Sequence, residues 1–284
     1  ILQGDATQAQ IGAFATATAM HTVDSRVIAG AARALRDRAT IIHAPMGAAD
    51  CCGTGGDNTG TLNISTAVAF VAAACGVPMA KHGNRAASSK SGAGDVLEAL
   101  GINIEADHGD LETALNKLGF CFLMAPRHHP ALAHVAAIRR ELGFRTIFNL
   151  LGPLANPANA HFQLIGVYDD TLRRPMAEAL SKLGTQRAWV VHGRDGMDEI
   201  TTTAETTVTS LENGELRDFT LSPERDFGLE RATLQDLQGG EAADNARAIE
   251  ELMEGQHSAY RDIVLANAAA VLVVAGRVDH LRDG

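Results

Sequence analysis

The sequence is poor in aromatic residues, has no Cys-x-x-Cys pair and has no long apolar run. The last two absences each exclude a class of protein. Aromatic residues make up only 4% of the chain. The four cysteines form no Cys-x-x-Cys pair, so we expect thiols in a reducing cytoplasm rather than a disulfide framework. No apolar run reaches the roughly 18 residues of a membrane span, and no secretory leader opens the chain. We therefore expect a cytoplasmic protein with no membrane partner. An initiator Met is also absent, so we expect trimmed ends.

The chain also lacks an excess of positive charge. Its formal net charge is −10, whereas general nucleic-acid-binding proteins carry a basic field. We therefore expect no nucleic-acid partner. Small anionic ligands remain compatible with this composition, and a local basic cluster in an acidic chain is informative about them.

The order of predicted elements favours an α/β enzyme. With 284 residues the chain can bury a substantial core, and its 28 glycines suit tight turns. Short amphipathic helices are predicted first, and strands then alternate with helices, which favours a largely parallel sheet. We predict a small helical domain over residues 1–46, joined by parts of 130–157, and an α/β domain over 47–284.

Four details of local structure follow from short-range signals. Thr7 is placed to cap the first helix, and Asp244 to cap a later one. Asn213-Gly214 predicts the turn of a β-hairpin over residues 206–221. Residues 145–157 contain glycine and prolines and are expected to form a connecting loop.

A glycine loop is the first motif that can carry chemistry. Gly53-Thr54-Gly55-Gly56-Asp57 is not a dinucleotide fingerprint, because Asn58 stands where a third glycine is required. It is not a P-loop either, because no Gly-Lys-Ser/Thr follows. A backbone without Cβ atoms can turn its N–H groups onto an anion. The alternative is a plain turn between a strand and a helix.

The second motif, Asn63-Ile64-Ser65-Thr66, lies at the mouth of the next predicted helix. Unpaired N–H groups and the positive end of a helix dipole both suit a phosphate. The alternative is ordinary capping by Ser65 or Thr66. The same residues match a glycosylation sequon, which we set aside because no secretory signal is visible.

A basic segment follows the next predicted strand. It runs Lys81-His82-Gly83-Asn84-Arg85-Ala86-Ala87-Ser88-Ser89-Lys90 and contains no acidic residue. Arg can bind phosphate oxygens in a bidentate manner, while Lys contributes a compact charge. We therefore favour a phosphate-binding loop over a solvated charged turn.

Two further groups of residues lie later in the chain. Asp198-Glu199 follows a predicted strand, and adjacent carboxylates are oxygen ligands suited to Mg²⁺. A surface turn is the alternative. Arg139-Arg140-Glu141 lies on a helix predicted over residues 130–142, after His128-His129, and an exposed helix face is the alternative there.

Taken together and in this order, these motifs resemble those of the anthranilate phosphoribosyltransferase family. Residues 145–157 are also similar to that family, and the likeness runs along nearly the whole chain. The resemblance implies an α/β fold, with a small all-helical domain beside a larger α/β domain that has a mostly parallel central sheet. It implies the substrates 5-phosphoribosyl 1-diphosphate and anthranilate, with Mg²⁺ at two ions per subunit. It also implies a homodimer formed through the helical domain.

The resemblance further implies which residues form the site. Those expected to line the phosphoribosyl diphosphate site are Gly53, Gly56, Asp57, Thr61, Asn63, Ile64, Ser65, Thr66, Lys81, His82, Gly83, Asn84, Arg85, Ala86, Ala87, Ser88, Ser89 and Ala93. At Ala93 the family often has Ser, so only the backbone is expected to contribute. Anthranilate is expected to meet Gly53, Asn84 and Arg139, with His82 and His129 as further candidates. Ser65, Asp198 and Glu199 are expected to bind the metal.

No side chain is expected to act as a catalytic acid or base. The attacking group would be an aromatic amine, which is already neutral at pH 7, so positioning and electrostatics are expected to dominate. A pyrimidine nucleoside phosphorylase of the same fold group is one alternative, disfavoured by Lys81 to Arg85 and by Asp198-Glu199. A non-catalytic nucleic-acid-binding protein is another, disfavoured by the acidic charge.

Overall fold

The structure is a computed structural model that describes residues 1–21, 24–86 and 90–284. Within these residues, seven strands form one sheet. They are β1 (Ala49–Gly53), β2 (Met79–Gly83), β3 (Phe120–Met124), β4 (Phe162–Gly166), β5 (Arg187–Gly193), β6 (Thr206–Glu212) and β7 (Glu215–Leu221). Their order is β3-β2-β1-β4-β5-β6-β7. The first five pair in parallel and the last two are antiparallel, so the predicted mostly parallel sheet is confirmed.

Helices connect the strands and precede the sheet. They are α1 (Gln8–Ala19), α2 (Ser25–Arg36), α3 (Ile64–Ala74), α4 (Ala93–Ala99), α5 (His108–Leu118), α6 (Ala125–His128), α7 (Ala133–Leu142), α8 (Phe148–Leu154), α9 (Arg173–Lys182), α10 (Ala242–Met253) and α11 (Ala259–Val274). In the described ranges, none of them has the length and apolar character needed to cross a bilayer.

Both faces of the sheet are buried by helices. On one face α3, α10 and α11 form a core with β1, in which Val68 and Val264 are fully buried. On the other face α1, α2, α8 and α9 pack against β4 and β5, and Ile28 and Leu180 are fully buried. Burial on both faces explains why strands such as β3 are runs of apolar residues rather than alternating ones. Because α1 and α2 share their core with the sheet, the predicted domain division at residue 46 stays a prediction.

The short-range signals give three clear outcomes. Thr7 caps α1 in a capping box with Gln10, as predicted. The hairpin turns at Asn213 and Gly214, whose φ angles of +51° and +82° are those of the turn that such a pair favours. The capping prediction for Asp244 is wrong, because Glu241 is the N-cap residue of α10. Asp244 lies in the first turn, where a carboxylate is still favoured by the helix dipole.

The loop predicted over residues 145–157 is wrong, because it contains α8 with Pro153 inside it. Leu150, Leu151 and Leu154 are buried at helical spacing in the core beneath β4 and β5. This packing outweighs the loss of a backbone donor at Pro153. The helix predicted from residue 130 is likewise broken, into a 3₁₀ turn at Pro130–Leu132 and then α7.

Asn156, directly after α8, ties this segment to the centre of the sheet. Its Nδ2 donates to Asp50 Oδ2 over 2.8 Å and to the Ala80 carbonyl over 2.7 Å. Asp50 is buried in β1, and this burial raises the pKa of its carboxyl. The Asp50 carboxyl also accepts the backbone N–H of His82 over 3.1 Å. One buried amide therefore joins β1 and β2 to the end of α8.

We predict that Asn156→Ala lowers the free energy of unfolding by about 2 kcal/mol, because buried acceptors lose their donors. Asn116, on the exposed face of α5, is the matched control, and Asn116→Ala is expected to change stability by less than about 0.5 kcal/mol. Urea denaturation measures both variants. Equal midpoints for the two would contradict a structural role for the Asn156 amide.

Candidate active site

The carboxyl ends of the parallel strands bring the predicted site residues to one edge of the sheet. Gly53 ends β1 opposite Gly166 at the end of β4, and Gly83 ends β2. The glycine loop and the basic segment therefore leave the same edge, which is where open α/β sheets bind ligands. Asp198-Glu199 follows β5 and returns to this edge.

Asp198 lies directly against two glycines. A Cβ atom on Gly166 would collide with the Asp198 carbonyl oxygen, and one on Gly53 would collide with its carboxylate. The backbone N–H of Gly55 donates to Asp198 Oδ2 over 2.7 Å. The glycine loop and the carboxylate therefore fix each other, and neither strand end has room for a side chain.

Three carboxyl groups lie close together at this edge. Burial, followed by the neighbouring Asp57 carboxylate, raises the pKa of Asp198 to about 7. Burial, followed by Asp198, raises the pKa of Glu199 well above its ordinary value. The Lys81 ammonium and the backbone N–H of Ser65 partly oppose that rise in the pKa of Glu199. Carboxylates held in this way favour the approach of a further cation.

The carboxylate pair suits a metal ion that is shared with a phosphate ligand. Within the described residues, no group of three or more His, Cys, Asp or Glu side chains is arranged to hold a metal ion by itself. Mg²⁺ commonly takes one or two protein carboxylates and completes its shell with water and phosphate oxygens. Asp198 and Glu199 provide such hard oxygen donors. Their pKa values stay raised because the neighbouring donors and the Lys81 ammonium do not offset the effect of burial.

Lys81 is a buried cation between β1 and the mouth of α3. Its side chain is only 1% exposed. Its Nζ donates to the Cys51 carbonyl over 2.8 Å and to Ser65 Oγ over 3.1 Å. Because an isolated buried ammonium is strongly unfavourable, these partners and the nearby Glu199 stabilise its charge. The structure thus brings together Lys81, Ser65 and Glu199, which are far apart in the sequence.

The mouth of α3 is not capped by the side chain of its own N-cap residue, although the Glu199 carboxylate meets the backbone N–H of Ser65 in the first turn. Asn63 is the N-cap residue, but its amide contacts the Ser91 carbonyl over 3.4 Å and Asn245 over 2.7 Å instead of the helix. The alternative in which Ser65 or Thr66 caps this helix is therefore wrong. Ile64 and Thr66 are buried. The other backbone N–H groups at the helix start remain suited to an anion.

The first half of the basic segment is held by acidic residues of α4. Arg85 forms ion pairs with Glu98 over 2.8 Å and with Asp95 over 3.1 Å. Asp95 also accepts the backbone N–H groups of Ala86 over 2.8 Å and of Gly92 over 2.9 Å. Arg85 is engaged with α4 in this structure, so its contact with phosphate stays a prediction.

The remaining residues of the basic segment have different environments. Asn84 is exposed, and its carbonyl accepts the N–H of Gly94 over 3.0 Å, next to Ala93 at the start of α4. Gly83 is packed against Phe122, where a Cβ atom would stand 2.8 Å from the ring. Ala87, Ser88 and Ser89 lie outside the described residues, and their predicted roles stay predictions.

His82 and His129 form a buried, neutral pair. Their ring centroids are 5.1 Å apart, and His82 Nδ1 lies 3.0 Å from the Gly152 carbonyl of α8. Burial lowers the pKa of His82 to about 3 and that of His129 to about 4. Both rings are therefore uncharged at neutral pH and suit an aromatic neighbour better than a phosphate.

Arg139 and Arg140 differ in burial although they are adjacent. Arg140 is exposed, as the helix-face alternative requires, whereas Arg139 is partly buried in α7. Burial lowers the pKa of Arg139, and no counter-charge among the described residues opposes this effect. In the described part of the chain, no hydrogen bond joins Arg139 to the glycine loop or to Asn84. The partly buried Arg139 guanidinium is therefore suited to binding a carboxylate ligand.

An open cavity of about 270 Å³ lies beside the glycine loop. Its lining residues are Gly56, Asp57, Asn58, Gly60, Thr61, Lys90, Ser91, Gln238, Gly239, Gly240 and Asn245. The wall formed by residues 238–245 is not among the site residues predicted from the sequence. A Cβ atom on Gly239 would stand 2.6 Å from the Thr61 carbonyl oxygen, so this glycine permits the close approach. The Gly239-Gly240 pair before a helix is the signal that points to this wall.

Arg145 is also absent from the site residues predicted from the sequence, although it contacts the glycine loop. Its guanidinium donates to the Gly56 carbonyl and lies 4.0 Å from the centroid of the Tyr168 ring. Gly56 has a φ of +78°, a conformation that favours glycine. Arg145 therefore holds the turn of the glycine loop from the segment that precedes α8.

Comparisons with known proteins show the family and the fold of the chain. A model described as the α/β domain of a glycosyl transferase family matches residues 46–284, and its helical bundle domain matches residues 1–39. The anthranilate phosphoribosyltransferase of Paramagnetospirillum magneticum is 56% identical over 100% of this chain and 82% of its own length. That of Rhodospirillum rubrum is 55% identical over the same shares of the two chains.

The chain belongs to the anthranilate phosphoribosyltransferase family. Among solved structures, the enzyme of this name from Thermus thermophilus has a TM-score of 0.94 and 42% identity, covering 99% of this chain and 84% of that chain. The Saccharomyces cerevisiae enzyme, in complex with PRPP and Mg, has a TM-score of 0.88 and 30% identity, covering 99% and 82%. The predicted fold, a small helical domain beside a larger α/β domain, is confirmed by this family and by its structures.

We predict that Gly166→Ala lowers kcat/KM by about 100-fold, because the new methyl group displaces Asp198 by a distance on the order of 1 Å. Gly30→Ala is the control and should keep wild-type activity, since Gly30 is exposed on α2 with nothing within 4 Å of an added Cβ atom. Steady-state kinetics measures both variants. Full activity in Gly166→Ala would show that the contact with Asp198 is not required.

Proposed function

We infer that this chain transfers the phosphoribosyl group of 5-phosphoribosyl 1-diphosphate to the amine of anthranilate, in tryptophan biosynthesis. The products are N-(5-phosphoribosyl)anthranilate and pyrophosphate. The observation that carries this proposal is the convergence of the glycine loop, the mouth of α3, Lys81 and the Asp198-Glu199 pair at one sheet edge. In this family, the Saccharomyces cerevisiae enzyme has been solved in complex with PRPP and Mg and in complex with 4-fluoroanthranilate.

The diphosphate donor is proposed to lie along the glycine loop and the mouth of α3. Gly53, Gly56, Asp57, Thr61 and residues 63–66 would line it, and residues 81–89 with Ala93 would cover it. The 270 Å³ cavity beside Gly56, Asp57 and Thr61, with Lys90 on its wall, supports this location. The helix start and the cationic Lys90 offset the acidic character of the chain there.

The carboxylates Asp198 and Glu199, with Ser65, are proposed to hold Mg²⁺, at two ions per subunit. When bound, Mg²⁺ neutralises the negative charge that develops on the leaving pyrophosphate. Support comes from the two raised carboxyl pKa values and from the position of Ser65 beside both Lys81 and Glu199. The family's yeast structures with Mg agree with the choice of metal.

Bond cleavage is proposed to depend on preorganised dipoles. As the bond between C1 and the diphosphate oxygen breaks, negative charge grows on pyrophosphate and positive charge on the ribose. The N–H groups of Thr54 and Gly55 already donate to Gly166 and Asp198, so the proposed donors are the backbone N–H groups further along the glycine loop and in the first turn of α3. Each such donor typically contributes about 3 kcal/mol to transition-state stabilisation. The nitrogen of the neutral amine then bonds to C1 and loses a proton to solvent.

The acceptor is proposed to be held by Arg139, together with Asn84 and Gly53. A partly buried guanidinium without a counter-charge suits the carboxylate of anthranilate. The neutral rings of His82 and His129 suit its aromatic face. Positioning an amine against C1 in this way contributes roughly 7–11 kcal/mol in well-oriented systems, which is consistent with the absence of a required acid or base.

A homodimer through the helical domain and a cytoplasmic location are also proposed. Phe14 and Met20 of the α1 region are 38% and 75% exposed, and Phe144, after α7, is 45% exposed. Exposed apolar side chains on neighbouring helices support a protein interface there. The cysteines of the chain are free thiols, which suits a reducing compartment.

The function is tested by following the fluorescence of anthranilate. We expect it to fall only when the enzyme, the diphosphate donor and Mg²⁺ are all present, with one pyrophosphate released for each anthranilate consumed. A chelator should stop the reaction and added Mg²⁺ restore it. Phosphate-dependent cleavage of pyrimidine nucleosides, without anthranilate consumption, would instead indicate the phosphorylase alternative. Salt-dependent DNA binding without turnover would indicate a binding protein.

Arg139→Ala is predicted to raise the KM for anthranilate by about tenfold or more, because an ion pair with a carboxylate contributes roughly 1.5–3 kcal/mol. The KM for the diphosphate donor should change little. The neighbouring exposed Arg140 provides the control, and Arg140→Ala should leave both values near those of the wild type. Equal increases in both KM values for Arg139→Ala would argue against the assigned role.

A further inference from the structure

Asn267 is a fully buried amide in an otherwise apolar stretch of α11. Its exposed fraction is 0%, and Ala266 and Ala268 on either side are also buried. A buried amide without hydrogen-bond partners is unfavourable by several kcal/mol on transfer scales, so its partners indicate what it does. Nothing in the reaction described above uses this residue.

The Asn267 amide forms hydrogen bonds with both the carbonyl and the N–H of one residue, Ile200. Its Nδ2 donates to the Ile200 carbonyl over 2.7 Å, and the Ile200 N–H donates to its Oδ1 over 3.0 Å. The second hydrogen of Nδ2 reaches the Ile263 carbonyl, one turn earlier in α11, over 2.8 Å. Asn267 therefore acts as a one-residue strand partner for Ile200 and is itself anchored to its own helix.

Ile200 directly follows the carboxylate pair, so this anchor limits where Asp198 and Glu199 can lie. On the preceding side, Met197 is held within its own turn, since its carbonyl accepts from Gly193 over 2.8 Å and its N–H donates to Asp195 over 3.1 Å. On the following side the anchor comes from α11, 67 positions along the chain. The two carboxylates are thus held between a local turn and a distant helix.

We propose that Asn267 is a positioning residue for the Asp198-Glu199 pair and sets the affinity for the divalent cation without touching it. This inference rests on the proposed function. An amide is needed because the site requires one acceptor and two donors from a short side chain. Aspartate would supply no N–H group, and leucine would leave both polar groups of Ile200 unpaired in the core. Partners that orient metal-binding carboxylates typically change metal affinity by about 10–100-fold when removed.

The test compares metal binding in Asn267 variants, with and without turnover. Without anthranilate, the titration of Mn²⁺ into enzyme and diphosphate donor, followed by electron paramagnetic resonance, gives the dissociation constant. In turnover, the half-saturating Mg²⁺ concentration is measured at saturating substrates. For Asn267→Leu and Asn267→Asp we expect both values to rise by about tenfold or more, with an unchanged KM for anthranilate. Should neither variant fold, Asn267→Ser, which keeps one donor and one acceptor, replaces them.

Two controls separate the possible outcomes. Val271→Ala removes buried contacts one turn further along α11 and leaves the hydrogen bonds between Asn267 and Ile200 in place, so it should leave the metal affinity unchanged. The double variant Asp198→Asn with Glu199→Gln should abolish specific Mn²⁺ binding. If it binds like the wild type, the proposed metal pair itself is wrong. If the double variant loses Mn²⁺ binding while the Asn267 variants keep wild-type affinity, only the positioning role of Asn267 is overturned. The same conclusion follows if Val271→Ala weakens Mn²⁺ binding as much as the Asn267 variants do.

Discussion

The contact between Asp198 and the glycines at the ends of β1 and β4 is the constraint on which the site depends. Two strand ends without side chains let a loop from β5 reach back across the sheet, and the N–H of Gly55 meets its carboxylate. Burial of the carboxylate at this contact raises its pKa, and the Gly55 N–H only partly opposes that rise, so a cation is favoured beside it. Geometry and electrostatics of the site therefore have one origin.

Three buried asparagines fix the positions of segments that lie near the glycines of the site. Asn156 joins β1 and β2 to the end of α8, Asn245 joins Asn63 to the segment beside the cavity, and Asn267 joins Ile200 to α11. Each amide links one segment of the site region to a distant part of the chain, through hydrogen bonds that are buried at Asn156 and Asn267 and partly buried at Asn245. Such bonds are directional, whereas apolar packing is not, so they fix the position of a loop more closely than burial alone.

The features that short-range chemistry determines could be predicted from the sequence. Thr7 caps α1 and Asn213-Gly214 turns the hairpin, because both signals act within a few residues. The glycine loop and the Asp198-Glu199 pair were recognisable by composition, although their mutual contact was not. The helix α8 was missed because its stability comes from core contacts that outweigh a proline. Arg145 and Gly239 were missed for the same reason, since their partners, Gly56 and Thr61, lie far away in the sequence.

The distribution of charge explains how an acidic chain can bind a polyanion. In their ionised form, Asp57, Asp198 and Glu199 would repel a diphosphate at close range, whereas the start of α3 and Lys90 would attract it. A divalent cation held by these carboxylates, as proposed, would change the first interaction from repulsion to attraction. Binding of the cation and of the donor would then be coupled, and by linkage each would raise the affinity for the other by the same factor. The buried carboxylates would in this way contribute to specificity, because an anion that cannot share a cation with them would meet only their repulsion.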